Sequence, residues 1–166
     1  TTGAENTVSG WFNDTVPTSS VFTTGTNGNI GESGADYVAY CFKDVPGYSK
    51  FGKYAGNSNT DGPFIYTGFK PELVIYKGSS GTGSADNWEM HTGATDLYNP
   101  MDTNIYPNLA NAESAPGSTT DRLDFLSNGF KIRTSGSDYN NSSAVYIYIA
   151  FGQPIISNSG IMTTAR

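Results

Sequence analysis

This sequence predicts an all-β fold, an antiparallel β-sandwich of jelly-roll or lectin-like type, and three observations carry that expectation. Eleven Tyr, nine Phe and two Trp stand among few Lys, Glu or Leu, a composition that suits strands better than helices. Gly, Ser, Thr and Asn make up 72 of the 166 residues and supply turns. Between those clusters the chain alternates polar and apolar residues or runs β-branched and aromatic, while helical periodicity is scarce.

Nine segments read as strands, in order Ser20–Thr24, Tyr37–Phe42, Ser49–Tyr54, Phe64–Thr67, Leu73–Lys77, Trp88–His91, Leu123–Leu126, Phe130–Thr134 and Val145–Phe151. Leu126-Ser-Asn-Gly-Phe130 sets Asn128-Gly129 between two apolar stretches, a strong hairpin signal because both residues tolerate positive φ. Pro100, Pro107 and Pro116 break ladders and helices across Tyr98–Gly117, which reads as a long excursion over the surface with at most one helical turn at Asn108–Glu113. Excursions of that length tend to form contacts.

A chain of this length buries about 70% of its unfolded surface, so a core without cross-links is feasible. Cys41, the one cysteine, has no internal partner and reads as a small buried hydrophobe in the run Tyr37–Phe42. Charged residues make up 14%, the net charge is −6 and the pI near 4.5, which argues against nucleic acid and anionic membranes as partners. No apolar run approaches the ~20 residues of a spanning helix, and no basic-then-apolar leader opens the sequence. It begins at Thr1, which leaves open a processed chain or a portion of a longer one.

Val21-Phe-Thr-Thr followed by Gly34-Ala-Asp-Tyr-Val-Ala-Tyr-Cys-Phe42 resembles Gly129-Phe-Lys-Ile followed by Ser143-Ala-Val-Tyr-Ile-Tyr-Ile-Ala-Phe151. Tyr37 and Tyr146 are 146 − 37 = 109 residues apart, which suits duplicated strand pairs or tandem units as well as an accident of composition. On the first reading, residues 1–46 end one unit, 47–156 form a complete sandwich and 157–166 are a tail. Tyr37–Phe42 and Tyr146–Phe151 are then interior strands with buried Phe42 and Phe151.

Tyr37-Val-Ala-Tyr-Cys-Phe42, Gly47-Tyr-Ser-Lys-Phe-Gly-Lys-Tyr-Ala-Gly-Asn57, Asp61-Gly-Pro-Phe-Ile-Tyr-Thr-Gly-Phe-Lys-Pro71, Asp124-Phe-Leu-Ser-Asn-Gly-Phe-Lys-Ile-Arg133 and Tyr146-Ile-Tyr-Ile-Ala-Phe151 form an ordered motif series. It resembles an uncharacterised domain family of bacteriophage, especially marine phage, tail-fibre and virion structural proteins, over most of residues 11–156. The resemblance implies location on the virion and brings no catalytic residues. The chain departs from relatives at Leu73-Val-Ile-Tyr-Lys77, followed by the Gly/Ser-rich stretch Gly78–Ser84, where they usually carry a basic residue and a longer apolar strand.

Chemistry-bearing motifs are sparse. There is no Gly-x-Ser-x-Gly elbow, phosphate-binding Gly-Lys-Ser/Thr loop or His-Glu-x-x-His pair. Alternation puts Glu89 and His91, the sole histidine, on one face of a strand, and a solvated face outweighs a catalytic one. Asp121 and Asp124 could serve a glycoside hydrolase, but any acidic β protein offers such pairs. Asn57, Asn59 and Asp61 before Gly62 echo a calcium loop, yet position twelve is Gly68 where a Glu belongs, so a polar turn without metal is expected.

Tyr98, Tyr106 and Tyr139 lie in polar stretches and are candidates for assembly or ligand contacts, whereas Trp11 and Trp88 suit a core equally well. Tyr98–Gly117 and the terminal Ile155, Ile156, Ile161 and Met162 are expected to meet neighbouring subunits. The expectation is a non-enzymatic, cofactor-free virion structural protein on the particle surface, partnered by other virion proteins and copies of itself, with host-surface glycan as a further partner. A glycan-binding adhesion module is the rival reading, and a glycoside hydrolase the third.

Overall fold

The computed structural model describes residues 9–81, 87–113 and 122–153. The chain divides into two compact units, Gly3–Phe42 and a second from Lys43 onward.

The described part of the first unit has two single helical turns, α1 (Ser9–Phe12) and α2 (Gly28–Gly31), and no strand. Asn27 caps α2 by accepting from Asn29 N at 2.9 Å, and the Tyr37 hydroxyl donates to Gly28 O at 2.9 Å. Neither Ser20–Thr24 nor Tyr37–Phe42 forms the expected strand. Tyr37, Val38, Tyr40 and Phe42 are exposed, and so is Cys41, against the expectation that this run is core. An apolar run becomes a strand only when a neighbour accepts its ladder, and among the described residues no strand pairs with this one. Phe42 is 61% exposed, whereas Phe151 lies in a sheet with its ring 5.9 Å from both Tyr48 and Phe51. One segment thus lies outside any strand and the other within β7, with Phe151 half-buried, so the two are not matching interior strands.

The second unit is an all-β antiparallel sandwich. Its strands are β1 (Ser49–Ala55), β2 (Phe64–Tyr66), β3 (Pro71–Ser80), β4 (Glu89–Thr92), β5 (Leu123–Leu126), β6 (Gly129–Ile132) and β7 (Val145–Gly152), with one helical turn, α3 (Ser137–Asn140). One sheet has the order β1-β7-β3-β4 and the other β2-β6-β5, with every pairing antiparallel. All seven strands were legible as alternating or β-branched segments.

Aromatic side chains join the sheets. Phe130 packs edge-on against Tyr54 and Tyr148, with ring centroids 6.4 and 5.4 Å away, and Tyr54 stacks on Tyr146 at 4.9 Å. Burying each such ring contributes roughly 2–3 kcal/mol, provided that its hydroxyl finds a partner. Tyr54 donates to Tyr139 O at 2.9 Å and Tyr146 to Ser137 O at 2.8 Å, so the α3 segment supplies the acceptors that admit tyrosine to the core.

The β5–β6 hairpin forms where expected but for a different reason. Its two-residue turn is Ser127-Asn128, Gly129 already pairs with Leu126, and neither Asn128 nor Gly129 has positive φ. Glycine is required at 129 because a Cβ there would stand 2.1 Å from Ile65 O on β2.

The excursion after Tyr98 also departs from expectation. Asn99 acts as a substitute strand residue: its amide donates to Phe125 O and accepts from Phe125 N, both at 2.8 Å. Met101 bridges to Leu123 and Ile105 to Met90, so this segment covers the outer edges of both β5 and β4. Met101, Thr103 and Asn104 are buried in the chain's own core instead of facing a neighbour. Asn108–Glu113 forms no helix; a turn from Tyr106 O to Leu109 N stands at its start.

Candidate functional site

The densest group of polar side chains lies inside the second unit, where β3, β4, the 101–106 segment, Arg122 and α3 converge. The sequence put Glu89 and His91 on a solvated strand face, but both are buried, while Trp88 and Met90 are only half-covered. For His91 the reversal follows from the partners that distant segments bring to its Nε2, which make burial of the ring tolerable.

Tyr76 stacks on His91 with centroids 5.8 Å apart and rings 10° from parallel, and its hydroxyl lies 3.4 Å from His91 Nε2. With the Asn104 amide assigned the orientation that its neighbours require, oxygen toward Arg122, its nitrogen donates to the same Nε2 at 3.2 Å and its oxygen accepts from Arg122 Nε at 3.0 Å and Nη2 at 3.3 Å. The Arg122 guanidinium lies 4.2 Å from the Tyr139 ring centroid, a cation–π contact. The hydroxyls of Tyr106 and Tyr139 approach the Asn104 amide as well. Asp96 closes the adjoining loop by accepting from Thr103 N and Oγ1 at 3.1 and 2.8 Å.

Burial, reinforced by the Arg122 charge, lowers the His91 pKa to about 3, against the opposing pull of the Thr103 carbonyl and Asp102. Burial likewise raises Tyr54 and Tyr76 well above the ordinary tyrosine value and raises Tyr139. The imidazole is therefore neutral at physiological pH and accepts through Nε2. With the His91 and Tyr76 rings fully covered, the cluster fixes the position of the 101–106 segment against the sheet.

Asn57, Asn59 and Asp61 form a ladder of Asx turns. Asn57 Oδ1 accepts from Asn59 N at 3.0 Å, and Asn59 Oδ1 from Asp61 N at 2.8 Å. The buried Asn140 accepts from Asn57 N at 2.8 Å, and its amide nitrogen lies 2.8 Å from Asn57 Oδ1, Asn59 O and Thr134 O. Asp61 pairs with Lys131 at 2.6 Å, which lowers its pKa. The oxygens that a cation would need already accept protein hydrogen bonds. Among the described residues no group of three His, Cys, Asp or Glu side chains could hold a metal ion.

The structure scatters the remaining candidates. Tyr98 is exposed, Tyr106 is half-buried, and Tyr139 is buried on α3 instead of standing in an open loop. Asp124 pairs with Arg133 at 3.4 Å; Asp121, Ile155, Ile156, Ile161 and Met162 lie outside the described residues. Two features escaped sequence reading. Asn140 gave no signal, because one Asn among fifteen is not distinguishable as a buried key. Phe64 and Tyr66, on either side of the buried Ile65, were read as a strand but not as an exposed aromatic pair.

The fold and these sites define a class: a β-sandwich module held by an aromatic and amide-linked core. The chain belongs to the DUF7483 family, described as a domain of unknown function, whose family model matches residues 1–154. No curated protein and no solved structure matches it. No helix among the described residues is long and apolar enough to cross a membrane.

Proposed function

We propose that this chain is a structural module of a bacteriophage virion, displayed on the particle in a fibre, appendage or capsid decoration. Its partners are then other virion proteins and copies of itself. The motif series from Tyr37 to Phe151 supports the location. The observation that carries assembly is the stretch Ala35–Phe42, which lies outside any helix or strand and leaves Tyr37, Val38, Tyr40 and Phe42 exposed. Covering one such side chain is worth roughly 1.5–3 kcal/mol, so a contiguous run of them favours an assembled state.

Mass spectrometry of gradient-purified particles from the phage encoding this chain tests the location. The chain is expected among the structural proteins, and its absence from particles overturns the reading. A Val38→Ser, Tyr40→Ser variant tests the contact: incorporation should fall while the melting temperature is unchanged, because both side chains are about four-fifths exposed. Deleting residues 155–166 examines the apolar tail separately, with reduced occupancy as the expected outcome.

A further inference from the structure

We infer that the outward face of the β2-β6-β5 sheet binds a neutral saccharide, stacked on Phe64 and Tyr66. This site is distinct from Tyr98, Tyr106 and Tyr139 and does not depend on the virion reading. Phe64 and Tyr66 are two residues apart on β2, so both point outward, about 7 Å apart along the strand. They are 46% and 65% exposed, while the intervening Ile65 is core.

The strand register fixes what surrounds them. Tyr66 faces Gly129, which has no side chain, and Phe64 faces Lys131, which in turn faces Asp124. The Phe64 ring lies across the glycine, with Cε2 and Cζ each 2.9 Å from the point that a Cβ on Gly129 would occupy. The ring is thus seated before any ligand arrives, which limits the entropy lost on binding. Tyr66 lies against Gly68, with its hydroxyl 3.6 Å from the corresponding point there. Two glycines therefore leave room for two rings on an otherwise flat face.

The charges beside the rings select the ligand class. Lys131 is paired with Asp61 and Arg133 with Asp124, so two acids balance two bases. An ionic ligand would have to displace one of these pairs. A neutral polyhydroxylated ligand need not: each ionised carboxylate has lone pairs beyond those that its cation uses, and sugar hydroxyls donate to them. The C–H face of a pyranose ring meets the electron-rich face of an aromatic ring, and the two rings suit adjacent sugars of one chain. No basic excess is present to recruit a polyanion.

The experiment is retention of the full chain on cellulose, chitin, mannan and cross-linked dextran, with alginate as the anionic comparison, followed by titration with oligosaccharides of whichever polymer retains it. At least one neutral polymer should hold the protein, and Tyr66→Ala should weaken the binding by about tenfold, the scale of one stacked ring. Tyr98→Ala, equally exposed but elsewhere, should leave it unchanged. Should Phe64→Ala disturb the fold by uncovering Gly129, Asp61→Asn tests the same face: it removes an exposed carboxylate acceptor beside the rings and should reduce affinity with little change in melting temperature. Three results overturn the inference: no neutral polymer retains the wild type, Tyr66→Ala binds as well as wild type, or sedimentation shows Tyr66 holding a dimer that covers this face. None touches the virion reading, which is decided by the content of purified particles.

Discussion

Asn140, on α3, holds Asn57, 83 residues away in sequence, by two reciprocal contacts of 2.8 Å: it accepts from the Asn57 backbone N–H and donates to the Asn57 side-chain oxygen. The same amide nitrogen meets Asn59 O and Thr134 O. One fully buried side chain thereby closes the turn after β1 onto the loop before α3.

Asn140→Ala should cost about 2–4 kcal/mol, since several buried groups lose their partner at once. Urea denaturation with the change in midpoint at constant slope measures it. A loss under about 1 kcal/mol would mean that water replaces the amide.

Chelation should leave thermal stability unchanged. The Oδ1 atoms of Asn57 and Asn59 already accept backbone hydrogen bonds, and Asp61 already pairs with Lys131. Melting curves in EDTA and in millimolar calcium are expected to superimpose. A melting temperature several degrees lower in EDTA would contradict this, because a ligand stabilises the state that binds it.

Acid should weaken the fold through His91. The folded-state pKa of about 3 lies below the unfolded value near 6.5, so the unfolded chain takes up the proton first. Stability is fully present above pH 6.5 and falls as pH drops toward 3, by up to about 3 kcal/mol between pH 6.5 and 4. The groups facing the ring are Tyr76, Asn104, Arg122, Thr103 and Asp102, with Glu89 on the same strand face. His91→Gln should flatten this part of the profile. An unchanged slope would assign the acid sensitivity to carboxylates.

Gly129→Ala should be far more damaging than Asn128→Ala. The new methyl would meet Ile65 O at 2.1 Å, and β2 would have to move away from β6, at a cost of roughly 1–3 kcal/mol or more. If the turn itself demanded glycine, Asn128→Gly would stabilise the protein; with negative φ at 128 it should not. Chemical denaturation of the three variants separates the two accounts.

The sequence by itself determined the fold class and the seven strands of the second unit, because strand signals are local: alternation along β1 or β4 is read within a few residues. It also located the β5–β6 hairpin. Only the tertiary structure decided which face of β4 turns inward, since His91 becomes tolerable inside only once Tyr76, Asn104 and Arg122 are assembled around it. Likewise, Tyr37–Phe42 and Tyr146–Phe151 are nearly interchangeable as text, yet one is an exposed segment outside any strand and the other lies between β1 and β3. A strand's propensity belongs to its residues, but its burial belongs to its neighbours, and a sheet's neighbours come from elsewhere in the chain.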